Sequence, residues 1–175
     1  MSADVTARAR GVRLAIFDVD GVLTDGALYL TDAGEEIKAF NTLDGHGLKM
    51  LRESGVTVAI ITGRTSQSVA LRAKNLGIDL VFQGVTDKAQ TFAELIAARG
   101  LAAQAAAYMG DDVVDLPVMR RCGFAASVPD APLIVRTHAH YVTRAAGGRG
   151  AARELCELVM HAQGTLDAAL APYLK

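Results

Sequence analysis

The sequence has 175 residues and a mass of 18.4 kDa, which fits one domain, residues 1–175. Hydrophobic residues make up 51% and charged residues 21%, so the chain can build a packed core and is not a disordered protein. With 18 Lys and Arg against 19 Asp and Glu, the net charge is −1, which argues against a dedicated binder of nucleic acid or anionic membranes.

Short apolar segments that end in polar residues recur along the chain, and they predict the buried strands of a parallel sheet. The first covers 14–19 and ends in acidic residues, and the second covers 56–61 and is followed by Thr62. Further strands are predicted at 79–82, 105–109, 124–128 and 140–143.

One segment after the first strand has a different pattern. Residues 27–40 contain two short predicted strands, Ala27–Leu30 and Ile37–Phe40, around a turn at 31–35. This arrangement predicts a β-hairpin inserted directly after the first strand.

Helical segments alternate with the remaining strands and are predicted at 46–53, 66–76, 87–98 and 150–163. Gly55 and Gly77 follow the first two helices, where a C-capping glycine is expected. Alternation at this spacing favours an α/β fold with a doubly wound, Rossmann-like parallel sheet. The tail, 165–175, has helical composition without a strong cap, and we expect it to be mobile.

Polar residues follow four of the predicted strands, at the point where each strand ends. They are Asp18 and Asp20 after the first strand, Thr62 after the second, Lys88 after the third, and Asp111, Asp112 and Asp115 after the fourth. Each has an ordinary explanation by itself; Asp111 and Asp112, for example, fit the N-cap of a helix. Because ligands in open parallel sheets bind outside the carboxyl ends of the strands, we expect these groups to meet in one cleft.

Clustered carboxylates repel one another and are costly to bury unless a cation neutralises them. Oxygen donors without His or Cys favour a hard divalent ion, and Mg²⁺ needs few protein ligands. Mg²⁺ with Lys88 and the Thr62 hydroxyl would hold a phosphoryl group. An aspartate placed to attack phosphorus then predicts an aspartyl-phosphate intermediate, with Asp20 as general acid and base.

Four segments of the chain resemble the four motifs of the haloacid dehalogenase superfamily of phosphatases. They are Phe17–Thr24, Thr62–Arg64, Lys88 and Gly110–Asp115. Within that superfamily the chain is similar to a capless family, the 3-deoxy-D-manno-octulosonate 8-phosphate phosphatases, over about residues 11–167. The segments that carry this closer resemblance are Asp18–Gly26, Phe40–Gly45, Thr62–Ser66 and Gly147–Glu154.

The resemblance implies roles for the residues that match. Asp18 becomes the nucleophile and a Mg²⁺ ligand, Asp20 the acid and base whose backbone carbonyl also binds the metal, and Asp111 the remaining protein ligand. Asp112 and Asp115 would surround the metal site and hold Lys88. The residues implied to bind substrate are Thr62, Gly63 and Lys88 at the phosphoryl oxygens, Arg64 and Arg72 at a sugar carboxylate, and Asp44 and Gly45 in the adjoining loop. A guanidinium suits the carboxylate because it can donate a hydrogen bond to each of the two oxygens.

The resemblance also implies an assembly. Only residues 21–41 separate the first strand from the next helix, which is too few for the cap domain that covers the cleft in most of the superfamily. Capless members are homotetramers in which hairpins pair and a neighbouring subunit covers the active site. Leu28, Leu30, Ile37 and Phe40 would leave an apolar hairpin face that needs a partner.

The predicted function is Mg²⁺-dependent hydrolysis of 3-deoxy-D-manno-octulosonate 8-phosphate in lipopolysaccharide biosynthesis. One alternative is a phosphatase for a nine-carbon keto-sugar acid phosphate such as sialic acid 9-phosphate. A receiver-type signalling domain and a non-catalytic oligomerisation domain are alternatives of another class. A receiver has its paired acids first, whereas here the attacking aspartate comes first, and every acid that catalysis needs is present.

The two cysteines, Cys122 and Cys156, are too few for a disulfide framework and lie outside any zinc-type spacing; we expect both in the core. No signal peptide is visible, and no apolar segment approaches the ~20 residues of a membrane span. A cytoplasmic protein with neither a nucleic-acid nor a membrane partner is therefore expected.

Overall fold

A six-stranded parallel sheet forms the centre of the protein in the computed structural model, which describes residues 2–175. Its strands are β1 (Leu14–Phe17), β4 (Thr57–Ile61), β5 (Leu80–Phe82), β6 (Ala106–Met109), β7 (Phe124–Ser127) and β8 (Tyr141–Val142); β2 (Tyr29–Leu30) and β3 (Glu36–Ile37) form the hairpin. The order across the sheet is β5-β4-β1-β6-β7-β8, with every pair parallel. The predicted doubly wound α/β fold is confirmed.

The central strands are buried on both faces because helices cover each side of the sheet. All residues of β1, β6 and β7 are buried, as continuous apolar strands in a parallel sheet require. The chain leaves β1 toward β4 and β5, then returns across β1 to β6. This reversal places the carboxyl ends of β1, β4 and β6 side by side, at the switch point where such sheets bind ligands.

The helices of the described chain are α1 (Ala3–Arg10), α2 (Thr42–Glu53), α3 (Gln67–Leu76), α4 (Lys88–Ala98), α5 (Leu116–Met119), α6 (Leu133–Arg136), α7 (Ala151–Gln163) and α8 (Leu166–Leu170). Short 3₁₀ turns cover Ala103–Ala105, Val113–Asp115 and Ala171–Tyr173. The predicted boundaries of α3, α4 and α7 are confirmed to within one residue. The sequence patterns missed α1, whose buried Val5 and Ala9 pack into the core.

Helix α2 begins four residues before its predicted start at residue 46. The side chain of Asn41 caps it by accepting a hydrogen bond from the Leu43 backbone N–H at 2.8 Å. An N-cap of this kind satisfies one of the free donors of the first turn. The apolar periodicity begins later than the cap, and this difference explains the error.

The β2–β3 hairpin forms a separate two-stranded sheet, shorter than the predicted 27–40 strands. The tail from Leu166 is helical and then turns, and the ring of Tyr173 meets the ring of His46 edge-on, with centroids 5.4 Å apart. Both cysteines are buried in the core, as expected. None of the helices in residues 2–175 has the length and hydrophobicity that crossing a bilayer requires.

Candidate active site

The carboxyl edge of the sheet opens into a cleft of about 400 Å³ between the strand ends and the hairpin. Eight of the predicted active-site residues line this cleft: Asp18, Asp20, Thr62, Gly63, Arg64, Lys88, Asp111 and Asp112. The topology explains their meeting, because β1, β4 and β6 are adjacent and α4 begins next to them.

Lys88 lies at the centre of the polar cluster. Its ammonium donates hydrogen bonds of 2.7 Å to Oδ2 of Asp18 and to Oδ1 of Asp115, and its side chain is 5% exposed. Burial alone lowers the pKa of a lysine, but here the carboxylates of Asp18 and Asp115 outweigh burial and raise the pKa of Lys88. The lysine therefore stays charged and bridges two buried acids.

Asp115 is completely buried and all of its acceptor positions are used. Oδ1 accepts from Lys88 and from the Tyr108 hydroxyl, each at 2.7 Å. Oδ2 accepts from the backbone N–H groups of Asp111 at 3.0 Å and Asp112 at 3.1 Å. Its role in the structure is to hold Lys88 and to shape the loop that carries Asp111.

Asp112 departs from its expected role. It forms no hydrogen bond or ion pair with Lys88; instead its side chain accepts a hydrogen bond from the Val113 N–H at 2.7 Å and caps the 3₁₀ turn. Asp115 accepts from the Asp112 N–H in return, which completes a capping box. The helix-cap explanation, weighed for this residue as the ordinary alternative, describes its contacts.

Two carboxyl groups in the cleft have raised pKa values. Burial, followed by repulsion from the Asp115 carboxylate, raises the pKa of Asp18 to about 6. Burial, followed by repulsion from Asp18 and Asp115, raises the pKa of Asp111 to about 7. Oδ1 of Asp111 is buried and has no hydrogen-bond partner in the described chain. The Asp111 carboxylate therefore lacks a partner that would compensate the cost of burying its charge.

These acids fit a hard divalent cation. Carboxylate oxygens of Asp18, Asp111 and Asp115 lie within 4.8 Å of one another. Asp115 has no acceptor capacity left, so Asp18 and the unpartnered Oδ1 of Asp111 are the side-chain groups open to an ion. A donor set of oxygens alone is the kind that Mg²⁺ binds.

Gly21 allows Asp111 to approach β1 closely. Its φ is +86°, and a Cβ added there would lie 1.9 Å from Oδ2 of Asp111. Any other residue would both adopt an unfavourable left-handed backbone and displace the carboxylate. The close approach of Asp111 thus explains why the first motif has a glycine at this position.

Three of the predicted substrate ligands do not line the cleft. Arg72 donates to the Asn41 carbonyl oxygen at 3.2 Å and lies against Gly45, where a Cβ would be 2.0 Å from its Nη2. Asp44 is 2% exposed, and its carboxylate accepts from the backbone N–H groups of Gly150 at 3.1 Å and Arg153 at 2.9 Å. Asp44 therefore caps α7 and joins it to α2.

The sequence patterns missed two charged residues of the hairpin. Lys38 forms an ion pair with Asp20 and lies 2.9 Å from Glu36, and Glu36 also binds Arg64, whose Nε donates to Oε2 at 3.2 Å. Alternation along an extended segment puts residues 36 and 38 on one face. The sequence shows this alternation, but it does not indicate which face of the hairpin is turned toward Asp20.

Comparisons with known proteins find close relatives over nearly the whole chain. The chain is 48% identical over 169 residues to the 3-deoxy-D-manno-octulosonate 8-phosphate phosphatase KdsC of Escherichia coli, covering 97% of this chain and 90% of that protein. A crystal structure of the phosphatase of that name from Moraxella catarrhalis, in complex with magnesium ion, phosphate ion and KDO, matches with a TM-score of 0.97 and 41% identity over 99% of each chain. The cobalt-bound phosphatase from Haemophilus influenzae matches with a TM-score of 0.91 and 39% identity over 96% of this chain and 99% of the other. No protein-family model matches.

Proposed function

The chain belongs to the 3-deoxy-D-manno-octulosonate 8-phosphate phosphatase family of the haloacid dehalogenase superfamily, and on that premise we propose that it hydrolyses this sugar phosphate to the free sugar acid and inorganic phosphate. It is a phosphoric monoester hydrolase by family. The observation that best supports the proposal is the pairing of Asp18 with Lys88 in a cleft that also holds the unpartnered Asp111. We place the reaction in lipopolysaccharide biosynthesis.

Magnesium is the proposed cofactor, as in the relative from Moraxella catarrhalis. Asp18 and Asp111 would hold the ion with their carboxylates, and Asp20 would add its backbone carbonyl. When bound, the ion neutralises charge on the cleft carboxylates and on the phosphoryl oxygens.

The reaction proceeds in two steps on the side chains of the cleft. Asp18 attacks phosphorus, the ester P–O bond breaks, and Asp20 gives its proton to the departing sugar alkoxide. Asp20, now ionised, takes a proton from water; the water oxygen attacks phosphorus of the aspartyl-phosphate, releasing phosphate and restoring Asp18. Lys88, Thr62 and Gly63 bind the phosphoryl oxygens during both steps, which balances their negative charge.

Arg64 is the proposed ligand for the substrate carboxylate. It lines the cleft, is half exposed, and is held by Glu36 on the hairpin side. A guanidinium at this position can exchange one carboxylate partner for another. Arg72 does not line the cleft, so Arg64 carries this part of the proposal by itself.

The assembly and location expected from the resemblance remain predictions. The hairpin exposes Leu28, Tyr29, Leu30 and Ile37, each between 47% and 64% accessible in the single chain. Because Tyr29 pairs with Ile37 and Leu30 with Glu36, Leu30 and Ile37 lie on opposite faces of the hairpin, and the single apolar face that was expected does not form. Exposed apolar side chains on both faces support pairing with other subunits, and we propose a homotetramer. We also propose a cytoplasmic enzyme.

The test is release of phosphate from 3-deoxy-D-manno-octulosonate 8-phosphate by the purified protein, with Mg²⁺ or with a chelator. We expect turnover only with the metal, and a loss of at least 10³-fold in Asp18→Asn, since the nucleophile is removed. The nine-carbon sialic acid 9-phosphate serves as competing substrate, and a higher kcat/KM for it would overturn the assignment. Phosphate release by Asp18→Asn equal to that of the unchanged protein would contradict the mechanism.

A further inference from the structure

Lys38 has a buried side chain on a hairpin whose residues are mostly exposed. Its side chain is 2% exposed, whereas the neighbouring Ile37 is 57% exposed. Lysine is almost never buried to this extent without a partner, because losing hydration of the ammonium is costly. Its partners are two acids: Asp20, which follows β1 and lines the cleft, and Glu36, which lies on β3 of the hairpin.

The two carboxylate oxygens of Asp20 have different partners. Oδ1 accepts a hydrogen bond from the Lys38 ammonium. Oδ2 lies 3.9 Å from Nε of Arg64, beyond hydrogen-bond distance. Oδ1 is therefore anchored and Oδ2 accepts no hydrogen bond from the described chain, and Asp20 lines the cleft together with Asp18 and Lys88.

Glu36 is the second acidic partner of Lys38. The Lys38 ammonium, which forms an ion pair with Oε1 of Glu36, and then the hydrogen bonds from Arg64 lower the pKa of Glu36, so its charged form is favoured. Asp20, Lys38, Glu36 and Arg64 thus alternate in charge around a ring. Lys38 lies between Asp20 and Glu36, so rotation of its side chain would break two ion pairs.

On the basis of the proposed function, we propose that Lys38 is a positioning residue, which fixes the Asp20 carboxylate for proton exchange and makes the hairpin part of the active site of its own chain. Lys38 acts through Asp20 and does not bind substrate, since its side chain is buried and already pairs with two carboxylates. The hairpin therefore has a role within one subunit that is separate from any role in assembly.

The first test compares Lys38→Met with Lys38→Arg, and uses Lys49→Met, the loss of an exposed lysine, as the matched control. In Lys38→Met we expect kcat for the sugar phosphate to fall about 10- to 100-fold, with KM changed less than about threefold, since a misplaced catalytic group costs this much. Lys38→Arg should recover part of the loss because it keeps the positive charge. A rise in KM without a fall in kcat would assign Lys38 to substrate binding and overturn the proposal.

A second readout distinguishes positioning of Asp20 from general damage. A p-nitrophenolate leaving group departs without a proton, so its formation does not need Asp20 as an acid. In Lys38→Met, kcat/KM should therefore fall strongly for the sugar phosphate and less than about threefold for p-nitrophenyl phosphate. Equal losses for both esters would overturn the proposal.

A third readout does not depend on the substrate. In a crystal structure of Lys38→Met, the Asp20 side chain should leave the position it has in the unchanged protein, while Asp18 and Lys88 stay in place. An unmoved Asp20 would overturn the positioning role even if the sugar phosphate proves not to be the substrate. Failure of the unchanged protein to hydrolyse the sugar phosphate would instead count against the proposed function alone.

Discussion

The ammonium of Lys88 lies 2.7 Å from Oδ2 of Asp18, although the two residues are 70 positions apart in the sequence. The same ammonium is 2.7 Å from Asp115, which has no exposed side-chain surface. A single cation thus compensates two buried carboxylates beside the proposed nucleophile. Removing it leaves both acids without their strongest partner.

Replacement of this cation should affect both stability and activity. In Lys88→Met we expect the free energy of unfolding to fall by about 3 kcal/mol, because breaking a buried pair leaves uncompensated charge. Phosphate release should fall at least 100-fold. Urea denaturation and a phosphate assay measure the two effects, with the exposed Lys74→Met as control. Unchanged unfolding would show that the pair contributes no net stability.

Stability of the metal-free protein should decrease as pH rises. The pKa values of Asp18 and Asp111 are raised to about 6 and about 7 in the folded protein, from an ordinary value of 3.8. Between about pH 4 and pH 7 the folded protein binds more protons than the unfolded chain, so the free energy of unfolding falls as the pH rises through this range.

Thermal unfolding with a chelator, at pH 5 and pH 8, measures this dependence. Asp111→Asn should reduce the difference, because one of the two groups no longer titrates. Mg²⁺ should also reduce it, since the ion compensates the carboxylates that protons neutralise at low pH. A melting temperature that rises from pH 5 to pH 8 in the chelated protein would contradict the prediction.

Gly21 and Gly34 form a matched pair. Both have positive φ, +86° and +79°, but an added Cβ meets Asp111 only at Gly21, while the space at Gly34 is open. Gly34→Ala should cost about 1 kcal/mol from backbone strain alone. Gly21→Ala should cost more and should also weaken Mg²⁺ binding, because Asp111 must move.

Calorimetric titration with Mg²⁺ and denaturation of the two variants separate the backbone effect from the steric one. If Gly21→Ala binds Mg²⁺ as tightly as Gly34→Ala does, then the close approach of Asp111 has no part in the metal site.

Asp44 has a structural role that is independent of any contact with substrate. Its carboxylate joins α2 to the first turn of α7 across 106 positions of sequence. In Asp44→Ala we expect a loss of about 1–3 kcal/mol in unfolding free energy, since one buried and one partly buried N–H group lose their acceptor. KM should change less than about twofold. A large rise in KM with unaltered stability would instead restore Asp44 as a substrate ligand.

The exposed apolar side chains of the hairpin lead us to expect self-association. Leu30 is 64% exposed on the hairpin, and Leu133 is 67% exposed on α6. Leu30→Glu should lower the mass measured by sedimentation equilibrium, because charge at a subunit contact costs desolvation. Leu133→Glu, an equal change elsewhere, should leave the mass unaltered. A monomeric unchanged protein would contradict the proposed homotetramer.

Much of the architecture was predictable because its causes are local. Apolar runs of strand length, glycine C-caps and alternation with helices placed β1, β4 and α7 nearly at their observed bounds. The errors also have local causes: the Asn41 cap lengthened α2, and α1 has a weak apolar pattern of two buried residues, Val5 and Ala9.

The residue pattern alone predicts that acidic residues, Thr62 and Lys88 gather at one sheet edge, because parallel strand ends share that edge whatever the details of packing. Which of these side chains touch depends on how distant elements pack. That packing pairs Lys88 with Asp115 and not with Asp112, turns Asp44 toward α7, and brings Lys38 onto Asp20. Periodicity specifies which face of an element a side chain occupies. The packing of distant elements sets the distances between side chains, and hydrogen bonds depend on those distances.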